Sequence, residues 1–548
     1  MKKRLANAKT RSETGFEYVM SRININTPFG KKMIKEKRPF FPGEESLLEK
    51  EFEKLGKIFE FISVYPDKTD ELLQIFMEVK DMSFTISRSW KDVLSVVELF
   101  EVKSLLLRMD KISRVLTGLS VKIPGDYILI DLEALIKRLD PRNDKMDTFY
   151  IYDEFSDELK EARRQKRDIE ACVRRQKKKQ KEIIKGKYGI DLTPAFDCLV
   201  SKTKPEQLKA VREIKELIQV DEDYVSVTFA IKNTGEIDKL LREADAAEKT
   251  IEEQELVVRE KLSREISGYE KELYLNCAKI GELDIAVSKA IYAKKHDCVI
   301  PEISQDHIIE ITEGRHLQAE DTLALRGKEY CPVSISLSDG VTCVTGANMG
   351  GKTVSLKLAG LIPLLTQNAF FVPAKRVVVG LSNYMQILIG DNQSVDRGLS
   401  SFGGEMEALK EILDNGVERS IVLIDEIASG TNPAEGYALT KSLINYLSDK
   451  PYISLVTTHF DNVSSGENVK NMQVAGLSGV DFAKLEREIR YANRRERINI
   501  IAKYMDYRLC NVTNEKEVPK DALNIAKMLG LNKEIIENAK KYLEGEKK

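Results

Sequence analysis

Residues 341–353 read Val-Thr-Cys-Val-Thr-Gly-Ala-Asn-Met-Gly-Gly-Lys-Thr. A β-branched run reaches Gly346, and from there the chain fits G-x-x-x-x-G-K-[ST], with Gly346, Gly351, Lys352 and Thr353 in the fixed places. The glycines let the backbone curl so that successive N–H groups face phosphate oxygens, and the loop opens onto a helix N-terminus whose partial positive charge favours an anion. Gly346, Ala347, Asn348, Met349, Gly350, Gly351, Lys352 and Thr353 are therefore the predicted nucleotide-binding residues. Lys352 is placed to reach the β- and γ-phosphates, and the Thr353 hydroxyl to ligate Mg²⁺. A chance glycine-rich loop is the plain alternative. The strand ahead and the helix-compatible run 353–365 behind supply the context a phosphate loop requires.

Farther on, Ser420–Glu426 reads Ser-Ile-Val-Leu-Ile-Asp-Glu, a buried-strand pattern ending in two carboxylates. Asp425 is expected to hold the Mg²⁺ shell and Glu426 to polarise a water for attack on the γ-phosphate. A further strand, 452–458, ends at His459, placed to sense or hold that phosphate. Between these elements, Gln393 is a candidate for contacting the metal or the attacking water. Ser400 and Ser401 precede a helix starting near Gly404, forming another anion-binding helix entry or a plain N-cap. One chain has no second phosphate for that entry, so a partner subunit's nucleotide is its expected ligand. The reading is an ATPase that uses ATP and Mg²⁺.

Composition narrows the class. The 548 residues suggest several domains, and 42% hydrophobic content is ample for real cores. Lys and Arg total 86 against 88 Asp and Glu, a net charge of −2, so any nucleic-acid binding has to rest on a local patch. The seven cysteines form no C-x-x-C pair and read as reduced thiols. No apolar run is long enough to cross a bilayer, and a cytoplasmic protein with no membrane partner is expected.

Residues 1–44 read as a basic N-terminal arm, and 45–156 as an all-α helical core in which Trp90, the only tryptophan, is expected to be buried. Residues 157–300 read as long antiparallel lever helices with a small clamp-like insert, its strand predicted over 223–231. The first lever carries the basic run Arg163–Lys187, suited either to lying along phosphates or to a solvated face. Residues 301–480 form the α/β ATPase unit. Residues 481–548 hold a basic insertion and a helix-turn-helix around Gly530, better suited to dimerisation than to reading DNA.

Taken together, these motifs resemble the MutS family, within the wider ABC class. The carriers are Thr345–Thr353, Ser400–Met406, Ile424–Thr431, Thr457–Phe460 and Gly314–His316. The likeness is detailed from residue 301 onward and architectural before it. The fold it implies is a C-terminal ABC-type P-loop ATPase domain preceded by the all-α core and lever helices. It also implies a homodimer, or a heterodimer with a related subunit, with two composite sites. In these, Lys352, Thr353, Asp425, Glu426 and His459 act in cis, while Ser400 and the Asn348–Met349 region face across. Tyr330 would stack on adenine, although its spacing to Lys352 departs slightly from the family's. Ala347 stands where the family usually has proline. The implied function couples dimer closure to movement of the lever arms on a macromolecule, by family default DNA, as in mismatch repair. Yet only 44 residues precede the core, Phe16-Glu17 does not fit the family's Phe-x-Glu mismatch wedge, and the chain stops before the Smr nuclease domain usual in the second MutS subfamily. The alternative is a MutS-like reactivase ATPase that remodels adenosylcobalamin-dependent lysine 5,6-aminomutase so that damaged cofactor exchanges. Gly398–Gly403 and the 481–503 insertion are similar to that group.

Overall fold

The computed structural model describes residues 4–346, 351–390, 401–428, 431–460, 463, 468–477, 480–489, 497, 500, 503–511 and 521–545. The chain is mixed α/β and forms two compact units. One is built from Glu78–Val115 and Leu129–Ala278, the other from Met1–Met77, Leu116–Ile128 and Lys279–Lys548. The division falls inside the 45–156 stretch, so the helices Glu45–Val64 and Pro66–Glu78 lie wholly or largely in the unit that contains the strand Gly340–Thr345.

In the smaller unit, helices Asp157–Tyr188 and Gly235–Gly268 pack side by side. Ser156 caps the first by accepting from Leu159 N–H at 3.2 Å, and Gly189, at φ +67°, ends it in the left-handed conformation. Gln176 meets Glu236, Lys166 meets Glu248 and Arg163 meets Glu255. Rising numbers on one helix pair with falling numbers on the other, so the two run antiparallel. Between them, β1 (Asp197–Ser201), β2 (Leu217–Glu222) and β3 (Ser226–Ile231) form an antiparallel sheet in the order β1-β3-β2. Ile184, Val200, Val211, Val227 and Phe229 are among the residues that fill its small core.

Two expectations are corrected here. The predicted strand over 223–231 begins only at Ser226, because the Asp223 carboxylate accepts from the N–H groups of Val225 and Ser226, both at 2.7 Å, and turns the chain. Trp90 is 63% exposed, not core. It sits in the connection between helices Ser83–Arg88 and Val96–Val115, with the Lys91 ammonium 4.7 Å from its ring centre, while Ile86, Leu94 and Leu99 take the buried positions.

The larger unit carries two sheets. The smaller contains β4 (Glu302–Ser304), β5 (Ile308–Gly314) and β6 (Val333–Ser338), followed in the chain by β7 (Gly340–Thr345), which belongs to the larger sheet, and then by β8 (Arg376–Gly380). Its order is β4-β8-β5-β6. After β9 (Tyr384–Ile389), β10 (Ser420–Asp425), β11 (Tyr452–Thr457), β12 (Val469–Gly476) and β13 (Asp506–Asn511), the six-stranded sheet is complete in the order β13-β12-β7-β11-β10-β9. Only β13 is antiparallel to its neighbour. Every residue of β10 and of β11 is buried, as expected of parallel strands covered on both faces.

Helix Gly351–Gln367 follows β7 and is buried along nearly its whole length. It packs closely against the sheet at Gly360, where a Cβ would come within 2.6 Å of Thr14 Cγ2 and 2.8 Å of Leu423 Cδ1. At its C-terminal end, the buried Lys289 donates to the carbonyls of Asn368 at 3.0 Å and Ala369 at 2.8 Å. The N-terminal stretch is part of the same core. Leu5 and Ala6 lie alongside β9, with Met385 N–H donating to Leu5 O at 2.7 Å, and Ile387 N–H donates to Thr10 Oγ1 at 3.3 Å.

Candidate nucleotide site

Strand register builds the site. Thr457, the last residue of β11, lies opposite Val344 of β7 on one side and Asp425 of β10 on the other. The carboxyl ends of three adjacent parallel strands therefore open at one edge, where open α/β sheets gather ligands. Gly346 after β7, Asp425 and Glu426 at the end of β10 and Thr458 after β11 all lie at that edge.

Side chains converge there. Thr353 Oγ1 donates to Asp425 Oδ2 at 2.8 Å, and Thr457 Oγ1 donates to Asp425 Oδ1 at 2.5 Å. Both carboxylate oxygens are thereby aimed. Lys352 is 3% exposed, and its Nζ lies 2.9 Å from Glu426 Oε1. That contact is a close ion pair without hydrogen-bond geometry, so among the described residues the buried ammonium has charge compensation but no acceptor in line with its N–H bonds. His459 Nδ1 lies 3.7 Å from the same Glu426 oxygen. Glu426 itself has φ +51°, a left-handed conformation that turns its N–H onto Thr457 O at 3.1 Å and Oγ1 at 3.2 Å. Ala428 repeats it at φ +58°. Non-glycine residues hold this conformation at a cost of about 1–2 kcal/mol each, which the surrounding packing has to offset.

The structure thus brings Lys352, Thr353, Asp425, Glu426 and His459 together, next to Gly346 at φ +124° and Gly351 at the helix start. The Tyr330 hydroxyl accepts from His316 N–H at 3.1 Å, bracing the start of helix Leu317–Leu325, and burial pushes its pKa up to about 12. Ala347, Asn348, Met349, Gly350, Gln393 and Ser400 lie outside the described residues. Ser401 opens the helix Ser401–Asn415, three residues earlier than the sequence suggests.

Three participants escape sequence reading. Thr457 is one; it heads the segment 457–460 that carries the resemblance, but nothing in the sequence gives its hydroxyl a role. Glu405 is another. It sits in the helix Ser401–Asn415 and accepts from Ala428 N–H at 3.2 Å, joining that helix to the turn after β10, and burial raises its carboxyl against the lowering effect of that N–H. Tyr507 of β13 is the third, its ring packed where a Cβ on Gly351 would meet it at 3.3 Å. No sequence motif marks it.

The donor set suits a Mg²⁺–nucleotide. An ammonium that is buried with, among the described residues, no hydrogen-bond acceptor is suited to phosphate oxygens, and a hydroxyl and a carboxylate in mutual contact are the oxygen ligands Mg²⁺ takes.

Comparison with known proteins matches this region to a family. The model described as MutS domain V fits residues 342–545. Over these residues the chain is similar to the MutS family. Similar relatives are proteins named endonuclease MutS2. That of Carboxydothermus hydrogenoformans is 27% identical over 98% of this chain and 65% of its own length. That of Fusobacterium nucleatum is 33% identical over 49% of the chain and 32% of its own length, and that of Clostridium botulinum 34% over 40% and 27%. The chain therefore spans less than two thirds of each of these MutS relatives. The similarity to the first runs through both compact units. Among the described residues no helix is long and apolar enough to cross a membrane.

Proposed function

We propose that this MutS-family chain is an ATPase that acts with Mg²⁺ and couples nucleotide turnover to its paired long helices. The observation that supports it is the Lys352, Thr353, Asp425, Glu426 cluster at the carboxyl edge of the sheet. When bound, Mg²⁺ neutralises charge developing on the phosphates. Thr353 and Asp425 hold the ion, and Lys352 binds the β- and γ-phosphates. Glu426 takes a proton from the attacking water as the new P–O bond forms and the bond to the β-phosphate oxygen breaks. His459 contacts the γ-phosphate, and Gln393 the metal or the water. Ser400 and Ser401 complete the site of a second subunit in a dimer. ATP turnover measured with Lys352→Ala tests the assignment: it should be abolished, and turnover at the normal rate would sink the reading.

DNA is the proposed target. Arg167, Arg174, Arg175, Lys178 and Lys179 are exposed and, among the described residues, make no ion pair, whereas Arg163 and Lys166 are held by Glu255 and Glu248. Arg167, Arg174 and Lys178 fall on one face of their helix, at i, i+7 and i+11, so they form a stripe about 16 Å long. That stripe suits a phosphate backbone. ATPase rate at two salt concentrations, with and without duplex or branched DNA, tests it; stimulation should fade with salt.

A second reading has its own support. On the small sheet and its β2–β3 turn, Leu199, Ile218, Val220, Tyr224 and Val225 are exposed, an apolar cluster that suits a protein better than DNA. If DNA has no effect, purified lysine 5,6-aminomutase is the next addition, as the target of a reactivase.

A further inference from the structure

Resting on the ATPase reading, we infer that the contact between Lys352 and Glu426 is a self-inhibitory latch that nucleotide itself releases. The same lysine that would grip phosphate is 2.9 Å from the carboxylate that would accept a proton from water. In this arrangement the ammonium and one carboxylate oxygen are paired with each other. While Lys352 Nζ faces Glu426 Oε1, the carboxylate oxygen is turned to a cation instead of a water, with His459 Nδ1 on the same oxygen at 3.7 Å. No other acidic group lies within ion-pair distance of Lys352 among the described residues.

The backbone favours an exchange of partners over a collapse of the site. Glu426 is fixed at its backbone by two contacts from its N–H to Thr457, and Asp425 beside it is held by Thr353 and Thr457. Only the Glu426 side chain has to move. Its side chain is 24% exposed against 4% for Lys352, so the carboxylate has solvent to swing into, while the ammonium is held in place by packing. Phosphate oxygens arriving on Lys352 displace the carboxylate. Glu426 is then left beside the bound triphosphate, able to accept a proton. Without nucleotide, Glu426 Oε1 stays paired with Lys352. No covalent bond changes in this step; one anion replaces another on the ammonium.

The latch predicts that Glu426 opposes nucleotide binding, for ADP as well as for a non-hydrolysable ATP analogue. Neutral, near-isosteric Glu426→Gln should bind Mg·ADP more tightly than wild type, by roughly threefold to thirtyfold, the range for removing one competing charged contact. Calorimetry on both proteins reads it directly. A second measurement needs no variant. Carbodiimide treatment of the nucleotide-free wild-type chain should give a zero-length Lys352–Glu426 cross-link by peptide mass spectrometry, and Mg·ADP should suppress it. Equal affinities of wild type and Glu426→Gln for Mg·ADP, or no cross-link in nucleotide-free protein, overturn the latch and leave the ATPase reading standing. Failure of wild type to bind any adenine nucleotide overturns both.

Discussion

At the scale of single residues, the site depends on contacts that are each replaceable one atom at a time. Thr457→Val keeps the shape and β-branching but removes the hydroxyl that donates to Asp425. A carboxylate oxygen left without that donor should lower stability by about 1–3 kcal/mol. Affinity for Mg²⁺-nucleotide should fall in parallel; a thermal melt and a Mg²⁺ titration check the two. Glu426→Gln should slow hydrolysis by about a hundredfold or more, the usual loss for an acid–base group, and trap bound ATP, seen as nucleotide retained after gel filtration. His316 offers a pH test. Burial lowers its pKa to about 4; Nδ1 accepts from Ala319 N–H, and the other ring nitrogen faces Thr14 O at 3.0 Å. The unfolded chain, with an ordinary histidine, binds the proton more readily, so folded stability falls as pH drops from about 6.5 toward about 4. At pH 5 the loss from this residue is about 2 kcal/mol. His316→Asn should be less stable near neutrality yet show a shallower decline between pH 7 and pH 5.

At the scale of elements, helix Gly351–Gln367 is clamped between the sheet and the N-terminal segment. Alanine is the better helix former, but at Gly360 its methyl would meet Thr14 and Leu423, so Gly360→Ala should cost about 1–3 kcal/mol. Adding Thr14→Ser removes the methyl in the way and should recover part of the loss in melting temperature. Such packing is where the sequence is least legible. The stretch 346–353, β10 and β11 stand out because the first fits a fixed-spacing motif and because strands buried on both faces are continuously apolar. The long helices stand out by length and charge. Strands β4, β8 and β13 are short or half-polar and leave no comparable pattern, and nothing local in residues 4–14 tells that they pair with a strand nearly four hundred positions away. Trp90 misleads for the opposite reason: hydrophobicity makes it look buried, while a connection between two helices holds it in solvent. Thr457 and Glu405 work through register and tertiary contact, which sequence spacing does not encode.

At the scale of the whole molecule, the balanced net charge conceals a division of labour. The helix Asp157–Tyr188 is basic and its neighbour Gly235–Gly268 is acid-rich, so part of the basic charge is consumed in pairing the two. Replacing Arg167, Arg174 and Lys178 together with Ala should leave basal ATP turnover intact and remove DNA stimulation. It should also lower the salt slope of DNA binding by up to about 0.9 for each phosphate that is no longer neutralised. Retention of full stimulation would locate DNA binding elsewhere. In the proposed dimer, Ser400→Ala should reduce turnover while nucleotide affinity stays largely unchanged; normal turnover by the purified dimeric variant removes the composite site.

The pairing of Leu5 and Ala6 with β9 has a practical side. β9 is an outer strand of the six-stranded sheet, and those residues occupy hydrogen-bonding groups that would otherwise face outward. An unpaired strand edge recruits another chain. A protein shortened by its first fifteen residues, or carrying a bulky fusion there, is therefore expected to self-associate through a bared strand, and that artefact would imitate in a sizing column the very dimer one sets out to detect.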